Sequence, residues 1–184
     1  MENTQKGHVG IAAVLAFVMA IGPFALDTYL PAFPFIAESM NTSVHHVSLS
    51  ITLYVFVLAI GQLSGGPLSD HLGRSKVMLA GISIFGIASI LLAFSTSLPE
   101  LLLLRVIQAF GGGWATVTIP ALVRDRLSGV EAAKFFSLIG LLMVLAPAVA
   151  PNIGSLLLTV FHWESIFVFL AIYSIIALIL IKTL

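Results

Sequence analysis

Two ionisable residues stand inside otherwise apolar stretches of this chain, and they are the side chains best placed to do chemistry. Asp27 is the one acid well within an apolar run, and Arg105 is the one base. An ionisable group in hydrocarbon is costly, so it marks an ion path, a proton relay or a counter-ion. A carboxylate there can take a proton or a cationic ligand. A guanidinium can hold that carboxylate, a water network or a freed backbone carbonyl. Arg105 shares one helical side with Gln108, Gly112 and Thr116, at spacings of three, four and four. That side reads as the wall of a polar cavity, or else as the seat of a structural arginine bonded to backbone carbonyls. The depths of the two charges allow contact if span one ends near Pro34; if it runs to Glu38, Asp27 lies about 16 Å from that end and contact needs a kink. Arg105 lies about 7 Å of helix from Glu100, and Asp27 lies about 10 Å before Pro34. A charge-coupled pair beside a substrate cavity is expected, with Asp27 exchanging a proton. A static polar contact is the alternative.

A second constellation is the turn Gly66-Pro67-Leu68-Ser69-Asp70-His71-Leu72-Gly73-Arg74-Ser75-Lys76. It places an acid, two bases and a histidine between two apolar runs, 47–65 and 77–94, each long enough to cross a bilayer. Asp70 can accept from a helix N-terminus or pair with an arginine. The adjacent pair His45 and His46 is a poor chelate with no acid close in sequence, so no metal site is read there.

The elements that must position these residues are apolar helices. Of the 184 residues, 59% are hydrophobic and 9% charged. A soluble domain carries roughly 25% charged residues, so lipid is the expected solvent. Zero net charge argues against a nucleic-acid partner, and the absence of cysteine excludes disulfides and thiolate sites. Six spans are expected, at 9–35, 47–66, 77–94, 101–122, 135–161 and 165–181, separated by the breaks 37–46, 67–76, 95–100, 123–134 and 162–164. The first run is too long for a signal peptide's apolar region of about 7–15 residues, so it reads as a retained span. Seven of the eight basic residues, Lys6, Arg74, Lys76, Arg124, Arg126, Lys134 and Lys182, fall on one side. The positive-inside rule makes that side, and both termini, cytoplasmic.

Prolines 23, 31 and 34 in span one, 120 in span four, and Pro147 and Pro151 in span five mark irregular backbone or packing kinks. Pro31 would free the carbonyl of Asp27. Gly61 with Gly65, and Ala146 with Ala150 and Gly154, form small-residue stripes for close helix approach. No Gly-x-Ser-Gly, no His-Glu-x-x-His and no acid dyad occurs in the spans, which argues against a membrane enzyme.

Three segments resemble the major facilitator superfamily. The turn Gly66-x-Leu68-x-Asp70-x-x-Gly73-Arg74 matches its signature between helices two and three, with Ser75 and then Lys76 following. Leu102-x-x-Arg105-x-x-Gln108-Ala109-x-Gly111 is similar to its helix-four pattern, with Ala109 in place of a glycine. Ala146-Pro147-Ala148-Val149-Ala150-Pro151-Asn152-Ile153-Gly154-Ser155 resembles the helix-five motif of drug antiporters. The segments 27–34, 123–126 and 162–167 are similar to the bicyclomycin/chloramphenicol resistance type of drug:proton antiporter.

The resemblance implies an all-α membrane protein whose six-helix bundle over 1–184 is the amino-terminal half of a twelve-span fold. It implies a cytoplasmic gate at Gly66, Asp70, Gly73 and Arg74; a topology anchor is the alternative. It implies a proton and substrate cavity at Asp27, Arg105 and Gln108, and an antiporter motif at Pro147, Pro151 and Gly154. The expected activity is multidrug efflux from a bacterial cytoplasmic membrane, driven by the proton gradient with no cofactor. The expected partners are a small-molecule drug, protons, lipid and a carboxy-terminal half or second copy. A non-transporting fragment or regulatory half-protein is the other reading.

Overall fold

The computed structural model describes residues 2–182, and side chains from residue 10 onward. The side chain of Lys6 and the chain end at 183–184 lie outside the described residues. All regular structure among those described is helical: α1 (Glu2–Met19), α2 (Ile21–Asp27), a 3-10 turn (Leu30–Ala32), α3 (Phe33–Ser39), α4 (Val44–Leu72), α5 (Arg74–Leu92), α6 (Leu98–Arg126), α7 (Gly129–Val160) and α8 (Glu164–Lys182). Six segments are long and apolar enough to cross a membrane; the first, Gly10–Ser39, combines α1 to α3.

The helices outrun the apolar stretches. The break expected at 67–76 shrinks to Gly73, and the one expected at 123–134 shrinks to Leu127 and Ser128. Hydropathy marks where a helix leaves lipid, whereas the backbone stays helical through the polar interface. Gly73 stops α4 because its φ of 102° is a conformation that other L-residues avoid. Its amide still closes on the Ser69 carbonyl at 3.0 Å, and its carbonyl accepts from Val77 at 3.3 Å.

Prolines 67, 120, 147 and 151 lie inside continuous helices. Among the described residues span one alone is broken. Pro31 and Pro34 sit in the first turns of the 3-10 segment and of α3, where a missing N–H costs no hydrogen bond.

The central element is α6. Of its apolar window 61% of residues are buried, against 22% for α4 and 11% for α7. It packs on α4 and α5, and α5 packs in turn on α8. Its Gly111-Gly112-Gly113 run makes that contact close: a Cβ on Gly111 would lie 2.6 Å from the Gly81 carbonyl oxygen, and one on Gly113 2.6 Å from that of Leu58. Backbone approach of this kind substitutes for a hydrophobic driving force, which lipid does not supply. The α7 helix instead leans on α2 and the 3-10 turn.

Candidate functional site

Arg105 has no solvent exposure. Its guanidinium carbon sits 4.5 Å from the ring centroid of Tyr29 and 4.2 Å from that of Tyr54. Two aromatic faces, from span one and α4, therefore hold the cation by ring quadrupole. In its own plane Nη1 donates to the Ala25 carbonyl at 3.2 Å and to Gln108 Oε1 at 2.6 Å. Gln108, also fully buried, donates from Nε2 to Ser89 Oγ at 2.7 Å, and Ser89 donates to the Phe85 carbonyl at 2.7 Å. The Gln108 amide must carry its oxygen toward Arg105, since a guanidinium only donates. Ser50 gives its proton to the Val47 carbonyl at 2.6 Å, so the Tyr29 hydroxyl donates to Ser50 Oγ across 3.0 Å. Four spans thus meet at one arginine. Nε and Nη2 of Arg105 and the Tyr54 hydroxyl are buried without a hydrogen bond.

The Ala25 carbonyl is available for a local reason. Thr28 closes the last α2 bond, to the Phe24 carbonyl at 3.2 Å, and the chain then turns into the 3-10 segment. The next carbonyl in the ladder loses its amide partner, and a helix C-terminus carries partial negative charge that a cation satisfies. Arg105 therefore caps α2 two residues before Asp27. The freed carbonyl that it takes is Ala25's, not the Asp27 carbonyl that Pro31 would release. Arg105 and Gln108 are brought together directly. Asp27 is half-buried at the end of α2, and no ion pair joins it to Arg105 among the described residues. The two share the same break in span one.

The helix-five motif reaches the same break from the other side. Ala146, Ala150 and Gly154, four apart, form the buried stripe of α7. A Cβ on Gly154 would overlap the Thr28 carbonyl oxygen, so α7 rests on the turn itself. Pro147 and Pro151 leave α7 continuous.

At the opposite end of the bundle Arg74 gathers the charged turn. It pairs with Asp70 at 2.5 Å, pairs through Nε with Asp125 Oδ2 at 3.2 Å, and donates from Nη1 to Ser69 Oγ at 2.9 Å. Ser69 donates to the Gly66 carbonyl at 2.7 Å. Of the four residues expected there, Gly66, Asp70 and Arg74 fall within this network, and Gly73 adjoins it through its backbone bond to the Ser69 carbonyl. The sequence reading missed Asp125 as their partner from the end of α6. Its only signal was its place in Val123-Arg124-Asp125-Arg126.

A family model described as Major Facilitator Superfamily matches residues 15–184. The chain belongs to that superfamily. It is 33% identical over 175 residues to a bicyclomycin resistance protein homolog of Haemophilus influenzae, covering 95% of this chain and 44% of the relative. It is 36% identical over 167 residues to a chloramphenicol resistance protein of Pseudomonas aeruginosa, covering 87% of this chain and 40% of the relative. The chain thus spans less than half the length of these relatives, corresponding to their amino-terminal half. The crystal structure of the human organic anion transporter MFSD10 (TETRAN) shares the fold, with a TM-score of 0.72 at 17% identity over 96% of this chain and 47% of that one. The superfamily bundle makes this a multi-pass membrane protein of a transporter family.

Proposed function

We propose that the chain works, together with a second six-helix half, as a drug:proton antiporter of the bicyclomycin/chloramphenicol resistance type in a bacterial cytoplasmic membrane. The observation that carries this reading is the break in span one. A half-buried acid, Asp27, stands two residues past a carbonyl held by a fully buried arginine, and Gly154 of the antiporter motif presses on the next residue. Discontinuous helices in membranes are tolerated where they line a protein or water-filled cavity. The acid is free to exchange a proton with a cationic drug because Arg105 is occupied by a neutral carbonyl, Gln108 and two rings. Arg105 and Gln108 act as positioning residues that hold the break in register. The proton gradient supplies the energy, with no cofactor. Resemblance to drug-resistance proteins in two organisms supports the substrate class.

In this reading the Asp70–Arg74–Asp125 network is a cytoplasmic gate that makes and breaks as the cavity alternates sides. The exposed apolar faces of α4 and α7 are where the second half seats. Single cysteines at Asn41, Thr96 and His162 are expected to react with an impermeant reagent from outside, and those at Ser75 and Ser128 not; an inverted pattern removes the gate assignment. The deciding experiment is drug efflux from cells expressing this chain with and without a carboxy-terminal half from a relative. Efflux is expected only with both halves. Efflux by the six-span chain alone would show instead that two copies, or one, suffice.

A further inference from the structure

A second polar feature lies at the end of the bundle away from Gly73. The short link between α7 and α8 is Phe161-His162-Trp163. Trp163 turns inward, 6% exposed, and donates from Nε1 to Ser39 Oγ at 3.1 Å, tying the hairpin to the end of α3. The tie leaves a cavity of about 560 Å³ whose walls include Phe35, Glu38, Phe161, His162, Trp163 and Glu164. That volume falls within the usual range for small-molecule sites, roughly 300–1,000 Å³.

Four observations bear on the sign of this cavity. None of its lining residues is a lysine or arginine, while two are acids, Glu38 and Glu164. The three breaks at this end, 37–46, 95–100 and 162–164, carry no lysine or arginine at all. The third acid of this end, Glu100, is committed elsewhere, accepting from the Thr96 amide at 3.0 Å. Glu164 Oε2 is shut off from solvent and makes no hydrogen bond, as is the neighbouring Ser165 Oγ. That one oxygen of the Glu164 carboxylate therefore lacks a donor, a deficit that a neighbouring cation would offset.

The rings supply the rest of the recognition. Phe35 and Phe161 are half-exposed or more, at 50% and 60%, and stand on the wall with Trp163. Aromatic faces beside a carboxylate favour a large, weakly hydrated cation over an inorganic one. A second apolar cavity of about 530 Å³ shares Phe161, His162 and Glu164 with the first and extends along α8 past Phe169. Glu164 therefore lies on the wall of both.

We propose that this cavity is a binding site for lipophilic organic cations, separate from the break at Asp27, with Glu164 as the counter-ion and Phe35, Phe161 and Trp163 as the aromatic walls. Glu38 lies eleven residues beyond Asp27 in span one, about 16 Å were the segment helical throughout. The site does not depend on transport, so the six-span chain itself can be tested.

The chain has two tryptophans, so Trp114→Phe leaves Trp163 as the only reporter. In nanodiscs of zwitterionic lipid, tetraphenylphosphonium should change Trp163 emission saturably. Glu164→Gln should weaken that binding about tenfold or more, and Glu38→Gln by less. Tetraphenylborate, an anion of the same shape, should give no saturable change. Equal saturable responses to the two ions, or an unaltered affinity in Glu164→Gln, would overturn the proposal. If Trp114→Phe fails to fold, equilibrium dialysis of labelled tetraphenylphosphonium against the two-tryptophan chain and its Glu164→Gln variant reads the same loss.

Discussion

The bundle organises itself around two arginines that solve opposite problems. Arg105 is wholly buried and takes a backbone carbonyl, an amide oxygen and two tyrosine faces. Arg74 is 26% exposed and takes two carboxylates, Asp70 and Asp125, which are themselves 57% and 53% exposed. In a low-dielectric interior, pairing Arg105 with a carboxylate would desolvate a second full charge. Neutral acceptors and ring faces stabilise the cation without that cost. At the turn, water solvates the carboxylates whether or not they are paired, so the pairs are weak and easily exchanged. The first arrangement suits a fixed anchor and the second a latch. The contrast also explains why, among the described residues, Arg105 forms no ion pair with Asp27: the anchor is satisfied by neutral groups.

This contrast can be broken at either end. The largest effect is expected at the anchor. Arg105→Ala leaves the Ala25 carbonyl and Gln108 Oε1 without their donor and opens a cavity, a loss of about 3–5 kcal/mol. Thermal melting in detergent should show it, and Arg105→Lys, which keeps the charge but loses the planar stacking, should fall between. A melting temperature unchanged by Arg105→Ala would remove the anchor role. Gly154→Val comes next. Its side chain must displace the Thr28 carbonyl, at a cost of about 1–3 kcal/mol. The same melting assay checks this, and Gly140→Val in α7, where a Cβ meets nothing within 4 Å, serves as the control.

Asp27→Asn should barely move the melting temperature, since no ion pair is lost. In a complete twelve-span protein it should abolish or reshape pH-dependent efflux of cationic drugs and spare neutral ones, provided another acid couples the proton. Full pH-dependent efflux of cations by this variant would take Asp27 out of the mechanism. At the latch, Asp70→Asn and Asp125→Asn should each cost about 0–1 kcal/mol of stability. Transport should nonetheless fall while expression and drug binding persist. Transport at the unmodified rate in both variants would favour a topology anchor over a gate.

Much of the architecture was legible because its signals are local. Apolar runs set the number of spans without reference to any partner. The turn at Gly73 was visible as charge and glycine, although its length was overstated, because composition reports the membrane boundary and not the helix end. Arg105 and Gln108 were legible as neighbours from their spacing of three on one helix. The two readings offered for Arg105, cavity wall or carbonyl-bonded anchor, could not be separated along the chain.

Tertiary structure decided between partners that lie far apart in sequence. Arg105 bonds to Ala25, eighty residues away, because the break after Asp27 frees that carbonyl at the point where α6 passes. Arg74 finds Asp125 because α4, α5 and α6 end at one level. Gly154 meets Thr28, and Trp163 meets Ser39, only because α7 and α8 fold back on span one. The sequence by itself determined which residues enter lipid and which sit at its edge, since transfer free energy belongs to each segment alone. Which carbonyl, ring or acid each buried group meets depends on how helices pack, and that is a property of the assembled bundle.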